Sequence, residues 1–221
     1  MGNGDTRQRL ILAAERLFAH NGIQGVSLRE INIAAGQRNT SASHYHFGSK
    51  EALLMAVLEN RDGQLRDRRM QRLEAIARAA PADPAHAVAE ALVLPAADMM
   101  DSAPDYILFT AQLFLQPPSD WRELLTREES ALSHATRILA ARTSIPEPLV
   151  MHRLVTMMQH LTTALASHIR VSKDGGDQSI ALPRPLFLSN LIDGLAAYLL
   201  VNPSKRTLGL MAEGSMGDFS Q

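Results

Sequence analysis

Between Ser27 and Leu53 the chain is punctuated by helix starts and stops so closely that only short helices joined by tight turns fit there. Ser27 stands three residues before Glu30. Its hydroxyl can accept from the N–H of the third helical residue while the Glu30 carboxylate reaches back to the Ser27 N–H. That predicts a helix from Leu28, with Leu28, Ile31 and Ala35 on one buried face and Gly36 where a left-handed residue would end it. The helix is then only about two turns long. Gln37 to Ser41 are polar and of turn type, and Asn39, Thr40 and Ser41 can each cap a second short helix running through about His46. Gly48 breaks the chain again, and Ser49 is a good cap for a third, much longer helix beginning at Lys50. Two short helices joined by a tight turn, the second polar and exposed, are the arrangement that lays side chains in a major groove.

Caps alone also fit all-α proteins that never touch DNA; the residue types decide. Between Asn39 and His46 the clear apolar anchors are Ala42 and Tyr45, with Phe47 just after, and the rest is dressed for hydrogen bonding. Tyr45-His46-Phe47-Gly48-Ser49-Lys50-Glu51-Ala52-Leu53 resembles the signature at the junction of the third and fourth helices in the tetracycline-repressor (TetR) family of bacterial transcriptional regulators. Upstream, Ile11-Leu12-Ala13-Ala14-Glu15-Arg16-Leu17-Phe18-Ala19 followed by Asn21-Gly22 is similar to that family's first helix and its glycine stop. Leu10, Ala13, Ala14, Leu17 and Phe18 share one face at helical spacing, as a helix bracing a helix-turn-helix requires. The resemblance covers about residues 6–59, roughly a quarter of the chain. Between Gly36 and Tyr45 this chain is one residue longer than the commonest family pattern, which leaves the register of base-contacting residues open by one position.

The formal net charge is −1, whereas a purely electrostatic nucleic-acid binder would be strongly basic. Arg61, Arg66, Arg68, Arg69 and Arg72, interspersed with Asp62 and Asp67, read as a solvated face of the long helix pairing at i,i+4, with a minor pull on the phosphate backbone from a distance. The chain has no cysteine, which removes disulfides, thiolate metal sites and cysteine nucleophiles. No window approaches the uninterrupted apolar length of a membrane span, and the N-terminus is too polar for a signal peptide, so a soluble cytoplasmic protein without a membrane partner is expected.

Pro81, Asp83 and Pro84 mark a boundary after the long helix. Helices are then expected over 85–100, with a kink at Pro95, and over 104–115, 121–142, 146–170 and 186–201. Residues 171–184 read as a loop. No segment alternates with period two. The expected fold class is all-α: an N-terminal three-helix helix-turn-helix DNA-binding domain over residues 1–49, and a helical ligand-binding and dimerisation domain over 50–221. The first helix of the second domain, about 50–79, connects the two.

Leu149, Leu154, Val155, Met158, Leu161, Thr162 and Leu165 form one broad apolar stripe, and Leu188, Leu191, Ile192, Leu195, Ala196 and Leu199 another. An ordinary core accounts for part of both. The TetR resemblance implies a homodimer through a four-helix bundle of the last two long helices of each subunit. It would be built on Leu154, Met158, Leu161, Leu165, Leu188, Leu191, Ile192, Leu195 and Leu199, with Gly194, Ala196 and Ala197 permitting close approach. The resemblance also implies a small-molecule pocket among the middle helices. Met99, Tyr106, Phe109, Gln112, Trp121, Met157 and His160 are candidates to line it, and an apolar or amphipathic effector would suit it.

For DNA, Thr40, Ser41, Ser43 and His44 are candidates for base edges or nearby phosphates, Asn39 lies beside them, and Arg38 would supply a stronger contact where it reaches guanine. Tyr45 and Lys50, by resemblance the family's phosphate contacts, would position without specifying, and Ser27 can donate similarly. His44 and His46 point to different sides of a helix, and His152, His160 and His168, eight residues apart, drift by about 80° at each step. No metal or cofactor is therefore expected, and no hydrolase or phosphate-loop motif occurs. The reading is a regulator, not an enzyme. It is expected to be a repressor that binds a palindromic double-stranded DNA operator and is released by an effector. The alternative is a small-molecule binding protein without sequence-specific DNA binding.

Overall fold

The capping pattern is what the backbone follows. The computed structural model describes residues 3–37, 39, 41–115, 117, 127–174 and 182–214. Among these, every regular element is a helix: α1 (Asn3–Asn21), α2 (Leu28–Ala34), α3 (Ala42–Phe47), α4 (Lys50–Ala79), α5 (Pro84–Ser102), α6 (Pro104–Leu115), α7 (Ala131–Ala140), α8 (Glu147–Asp174), α9 (Arg184–Leu200) and α10 (Lys205–Gly214). The fold is all-α. Ser27 and Glu30 form the reciprocal cap of α2, Ser49 accepts from the Ala52 N–H at 3.1 Å to start α4, and Asp83 accepts from the His86 N–H at 2.9 Å to start α5. Gly36 and Gly48 sit at φ of 68° and 75°, so the two breaks that isolate α2 and α3 use the left-handed backbone that glycine adopts without strain.

Helix α4 has 30 residues, hence a length of about 45 Å. Its first half packs on α1 and its second half on α5 and α7. Helix α1 also packs on α6, where the Phe18 and Phe109 rings stack at 6.1 Å between centroids. Glu15, only 4% exposed, accepts from Arg61 Nε at 3.0 Å and from Arg61 Nη2 at 3.2 Å. His20 meets Asp105 at 2.9 Å. The helix-turn-helix is thus clamped to both α4 and α6.

Two expectations need correction, and one helix is additional. Residues 127–130 form a turn, and Ser130 starts α7 by accepting from the Ser133 N–H at 3.1 Å, so the expected helix over 121–142 is broken by its own serine cap; residues 121–126 lie outside the described residues. Residues 171–174 continue α8 instead of opening a loop. Helix α10 was not expected: Pro203 follows α9, and Ser204 caps the new helix through the Thr207 N–H at 3.1 Å.

The basic cluster on α4 also divides. Arg66, Arg68 and Arg72 are solvated, but Arg61 is paired with Glu15 and Arg69 is buried.

The two stripes expected to face a second subunit are covered within the chain. Leu154, Leu161 and Leu165 are fully enclosed, Met158, Leu191, Ile192, Leu195 and Leu199 are buried, and Leu188 is half-buried. The reason is topological: α8 is wedged against α6 and α7, and α9 lies on α5 and α8, so both stripes find partners at home. Ala196 is buried with them. What α9 turns outward is Leu186, Asn190, Gly194, Ala197, Tyr198 and Val201, followed on α10 by Leu208 and Leu210.

Candidate nucleic-acid interface

Helix α3 has six residues, too few to hold its own shape through internal hydrogen bonds. Its N-cap, Ser41, makes no side-chain cap bond. Asn32 on α2 supplies it instead. The Asn32 Oδ1 accepts from the Ser43 N–H at 2.9 Å, and Asn32 Nδ2 donates to Ser43 Oγ and to the Leu28 carbonyl, both at 2.8 Å. Asn32 is fully buried and Ser43 is 1% exposed. This joint welds α3 to α2 in one orientation. Ser43, expected among the DNA-facing residues, therefore faces inward, because its hydroxyl and N–H complete the joint. Asn32 was missed; the available signal was one asparagine four residues after Leu28, on the buried side of an otherwise apolar face.

The approach to α3 is shaped by Asn39, whose Oδ1 accepts from the Ser41 N–H at 2.9 Å and whose carbonyl accepts from the Ala42 N–H at 3.2 Å. This turn holds Asn39 and Ser41 at the exposed end of α3. Arg38 and Thr40 lie outside the described residues. His44 is exposed, and Tyr45 is 78% exposed, a high value for a large ring on an ordered helix. The Tyr45 ring rests edge-on against His46 at 5.2 Å, and the Arg7 guanidinium lies 5.2 Å from the Phe47 ring centroid.

Lys50 stands in the first turn of α4, half-buried, its ammonium 6.0 Å from the centre of the Phe18 ring. Ser27 is exposed, but its hydroxyl already donates to Glu30 Oε2 at 2.7 Å and accepts from the Glu30 N–H at 3.3 Å. The Ser27 hydroxyl, then the Ser27 N–H, hold the Glu30 carboxyl below its usual range, with help from the Lys50 charge. Asn39, Ser41, His44 and Tyr45 are thus brought to one exposed end of the molecule, with Ser27 and Lys50 at the helix starts beside them.

Residues 10–57 match the pattern of the family described as "Bacterial regulatory proteins, tetR family". These residues carry the DNA-binding pattern of the TetR family. Members of this family are transcription regulators, not enzymes. The TetR-family regulator BetI of Rhizobium meliloti is 39% identical over 71 residues, which cover 32% of this chain and 34% of that protein. The likeness to this curated relative therefore spans about a third of its length. The TetR fold extends much further. NalD, described as the secondary repressor of the MexAB-OprM multidrug efflux pump in Pseudomonas aeruginosa, superposes with a TM-score of 0.58 at 19% identity, covering 91% of this chain and 100% of its own. A TetR-family regulator from Shewanella sp. PV-4 gives 0.58 at 16% identity, covering 89% and 99%.

The second domain holds a cavity of about 140 Å³ between α4, α5, α6, α7 and α8. Of the expected ligand residues, Tyr106 lines it. Phe109 and Met157 are fully buried and Met99 and Gln112 half-buried, none of them at the cavity wall. His160 is exposed on the outer side of α8, so it cannot serve as an anchor there; Trp121 lies outside the described residues. Bulky side chains at helical spacing fill the core here more often than they border space. Met158, expected at a subunit interface, is a wall residue instead.

Proposed function

We propose that this TetR-family protein is a repressor that binds a palindromic DNA operator as a homodimer and is released by a small effector. The observation that carries the reading is Tyr45, held out at 78% exposure beside His44 on a helix whose backbone is locked by the buried Asn32–Ser43 joint. An amphipathic phenol held out on a rigid, polar helix is available to a partner surface. The phenol can donate to a phosphate oxygen, Lys50 can add charge at the positive end of α4, and His44 with Ser41 and Asn39 can meet base edges.

A second copy is needed because one six-residue helix reads too few base pairs. The outward face of α9 supports a twofold contact: Gly194 and Ala197 leave room for close approach, and Leu186, Tyr198 and Val201 supply apolar area. Effector release has a route through α4, which begins at the reading head with Lys50 and lines the cavity at Leu58 and Leu65, about 12 Å along at the nearer point. A ligand shifts the head only by its differential affinity for the two states. Among the described residues no single helix is long and apolar enough to cross a membrane. The test is selection from randomised duplex DNA at moderate salt. An enriched inverted repeat supports the reading; no enrichment by folded protein would sink it.

A further inference from the structure

The cavity wall contains a buried charge that forms no ion pair among the described residues. Arg69, on the second half of α4, is 8% exposed, and its Nε donates to the Leu92 carbonyl at 3.1 Å. Among the described residues its guanidinium makes no further hydrogen bond and no ion pair. Beside it Tyr106 is 1% exposed, and its hydroxyl makes no hydrogen bond to the described residues. Both side chains line the cavity. The guanidinium stays protonated and the phenol keeps a free O–H, so both present donors to the space they border and can meet an acceptor placed there.

The threonines of the wall do not supply it. The Thr110 hydroxyl donates to the Ile107 carbonyl at 2.9 Å, and the Thr162 hydroxyl to the Gln159 carbonyl at 3.1 Å. Arg66, Arg127 and Glu129 are exposed at the rim. Asp62 is the inner carboxylate; it lies in the field of Arg69 but makes no ion pair or hydrogen bond with it among the described residues, and burial raises its affinity for a proton. Burial, with the Asp62 charge, also pushes the Tyr106 phenol up, so it remains a donor. The rest of the wall is apolar, including Leu58, Leu65, Ile107, Leu132 and Met158. One water needs roughly 10–15 Å³ of such space. The cavity's 140 Å³ is therefore too large to be explained by a single bridging water.

We propose that the effector is an amphipathic anion whose acidic head is bound by Arg69 and Tyr106 and whose apolar tail lies along Leu58, Leu65, Ile107 and Met158. This rests on the effector reading given above and narrows it to a charge class. Guanidinium N–H and phenol O–H groups together supply the donors that a carboxylate's two oxygens accept. A neutral alcohol of the same length accepts at one uncharged oxygen and leaves the guanidinium charge uncompensated, and a cation would add a second positive charge beside Arg69.

Isothermal titration of the full chain with decanoate, decan-1-ol and decyltrimethylammonium, each below its aggregation concentration, tests the assignment. Decanoate is expected to bind about tenfold or more tighter than decanol, and the cation not to bind measurably. Arg69→Met should bring decanoate down to the level of decanol, and Asp62→Asn should tighten decanoate. Equal or tighter binding of decanol or of the cation, absence of binding by all three, or a preference for decanoate that survives in Arg69→Met would overturn the proposal. The comparison of the three probes on the unaltered protein decides even where Arg69→Met does not fold. An operator recovered from the duplex selection without a preference for decanoate would sink the charge assignment alone. A decanoate preference without an operator would sink the regulator reading and leave the site standing.

Discussion

Replacing Asn32 by Ala removes the polar joint that orients α3. Three bonds are lost: Nδ2 to the Leu28 carbonyl at 2.8 Å, Nδ2 to Ser43 Oγ at 2.8 Å, and Oδ1 from the Ser43 N–H at 2.9 Å. The first matters least, because that carbonyl lies within the α2 hydrogen-bond ladder. The third matters most: the Ser43 N–H is among the first of α3, has no cap from Ser41, and is shielded from water at 1% exposure of its residue. Leaving a buried donor unmade costs about 1–3 kcal/mol, and losing a helix cap about 1 kcal/mol. Allowing for their overlap, the expected destabilisation is about 2–4 kcal/mol, read as a shift of the urea midpoint at unchanged slope. Ser43→Ala should cost about 1 kcal/mol, since its backbone N–H still reaches Asn32. In the Asn32→Ala background the same change should cost almost nothing, because the hydroxyl has already lost its partner. The double-mutant cycle should therefore return a coupling of about 1 kcal/mol. A loss below about 0.5 kcal/mol for Asn32→Ala, or strict additivity of the two changes, would refute the claim that this joint holds α3.

Lys50→Ala should weaken operator binding about equally across sequences and lower the slope of log affinity against log salt by about one; a change of sequence preference at an intact slope would overturn its role as a positioning contact. Arg61→Met leaves the buried Glu15 carboxylate without its bidentate partner, and should destabilise the protein by about 3 kcal/mol in urea titration, with Glu15→Gln recovering part of the loss in the double variant. Ala80 ends α4 at φ 45°, exposed to solvent, so Ala80→Gly should raise stability by about 0.5 kcal/mol in the same assay. Asp62 holds its proton more tightly in the folded chain than in the unfolded one, chiefly through burial. The folded state is therefore favoured relatively as pH falls from above its raised value toward the ordinary carboxylate value, and loses that advantage as pH rises. Asp62→Asn should remove this component of the pH dependence of the urea midpoint; an unchanged profile would count against a raised Asp62.

The sequence was most informative where a single residue dictates a local conformation. Ser27 with Glu30, Gly36, Gly48 and Ser49 bracket two helices and start a third wherever tertiary packing agrees, and the span 104–115, set between a proline and a proline pair, coincides with α6. What periodicity could not give is the identity of the neighbour. The stripes of α8 and α9 were legible as buried, but a stripe of Leu reads the same against its own chain as against a second copy, and here the chain itself covers Leu154, Leu161 and Leu195. Arg69 was hidden for the same reason: within a run of five arginines nothing local marks the one that turns inward. Asn32 and Ser43 lie on helices of seven and six residues, too short for any periodic signal to say that their polar groups meet.

The proposed switch has two mechanical links, and both start from the cavity wall. One is α4, which contributes Asp62, Leu65 and Arg69 to the cavity and, immediately before Asp62, the Arg61 that clamps Glu15 of α1. The other is α6, where Tyr106 lies 6.3 Å from Phe109 between ring centroids, and Phe109 lies 6.1 Å from Phe18 of α1. His20 and Asp105 close the same α1–α6 contact at its end. An acid seated between Arg69 and Tyr106 would bear on α4 and α6 at once, so the separation of these helices is the coordinate that filling the cavity changes. Because α1 is fastened to both, a change in that separation would tilt it, and α2 and α3 would ride with it through the Asn32–Ser43 joint and the packing of α1 on α2. A rigid head on a two-point mount would pass a change between α4 and α6 on to Tyr45. In a dimer the two displacements add in the spacing of the half-sites, and operator affinity depends on that spacing.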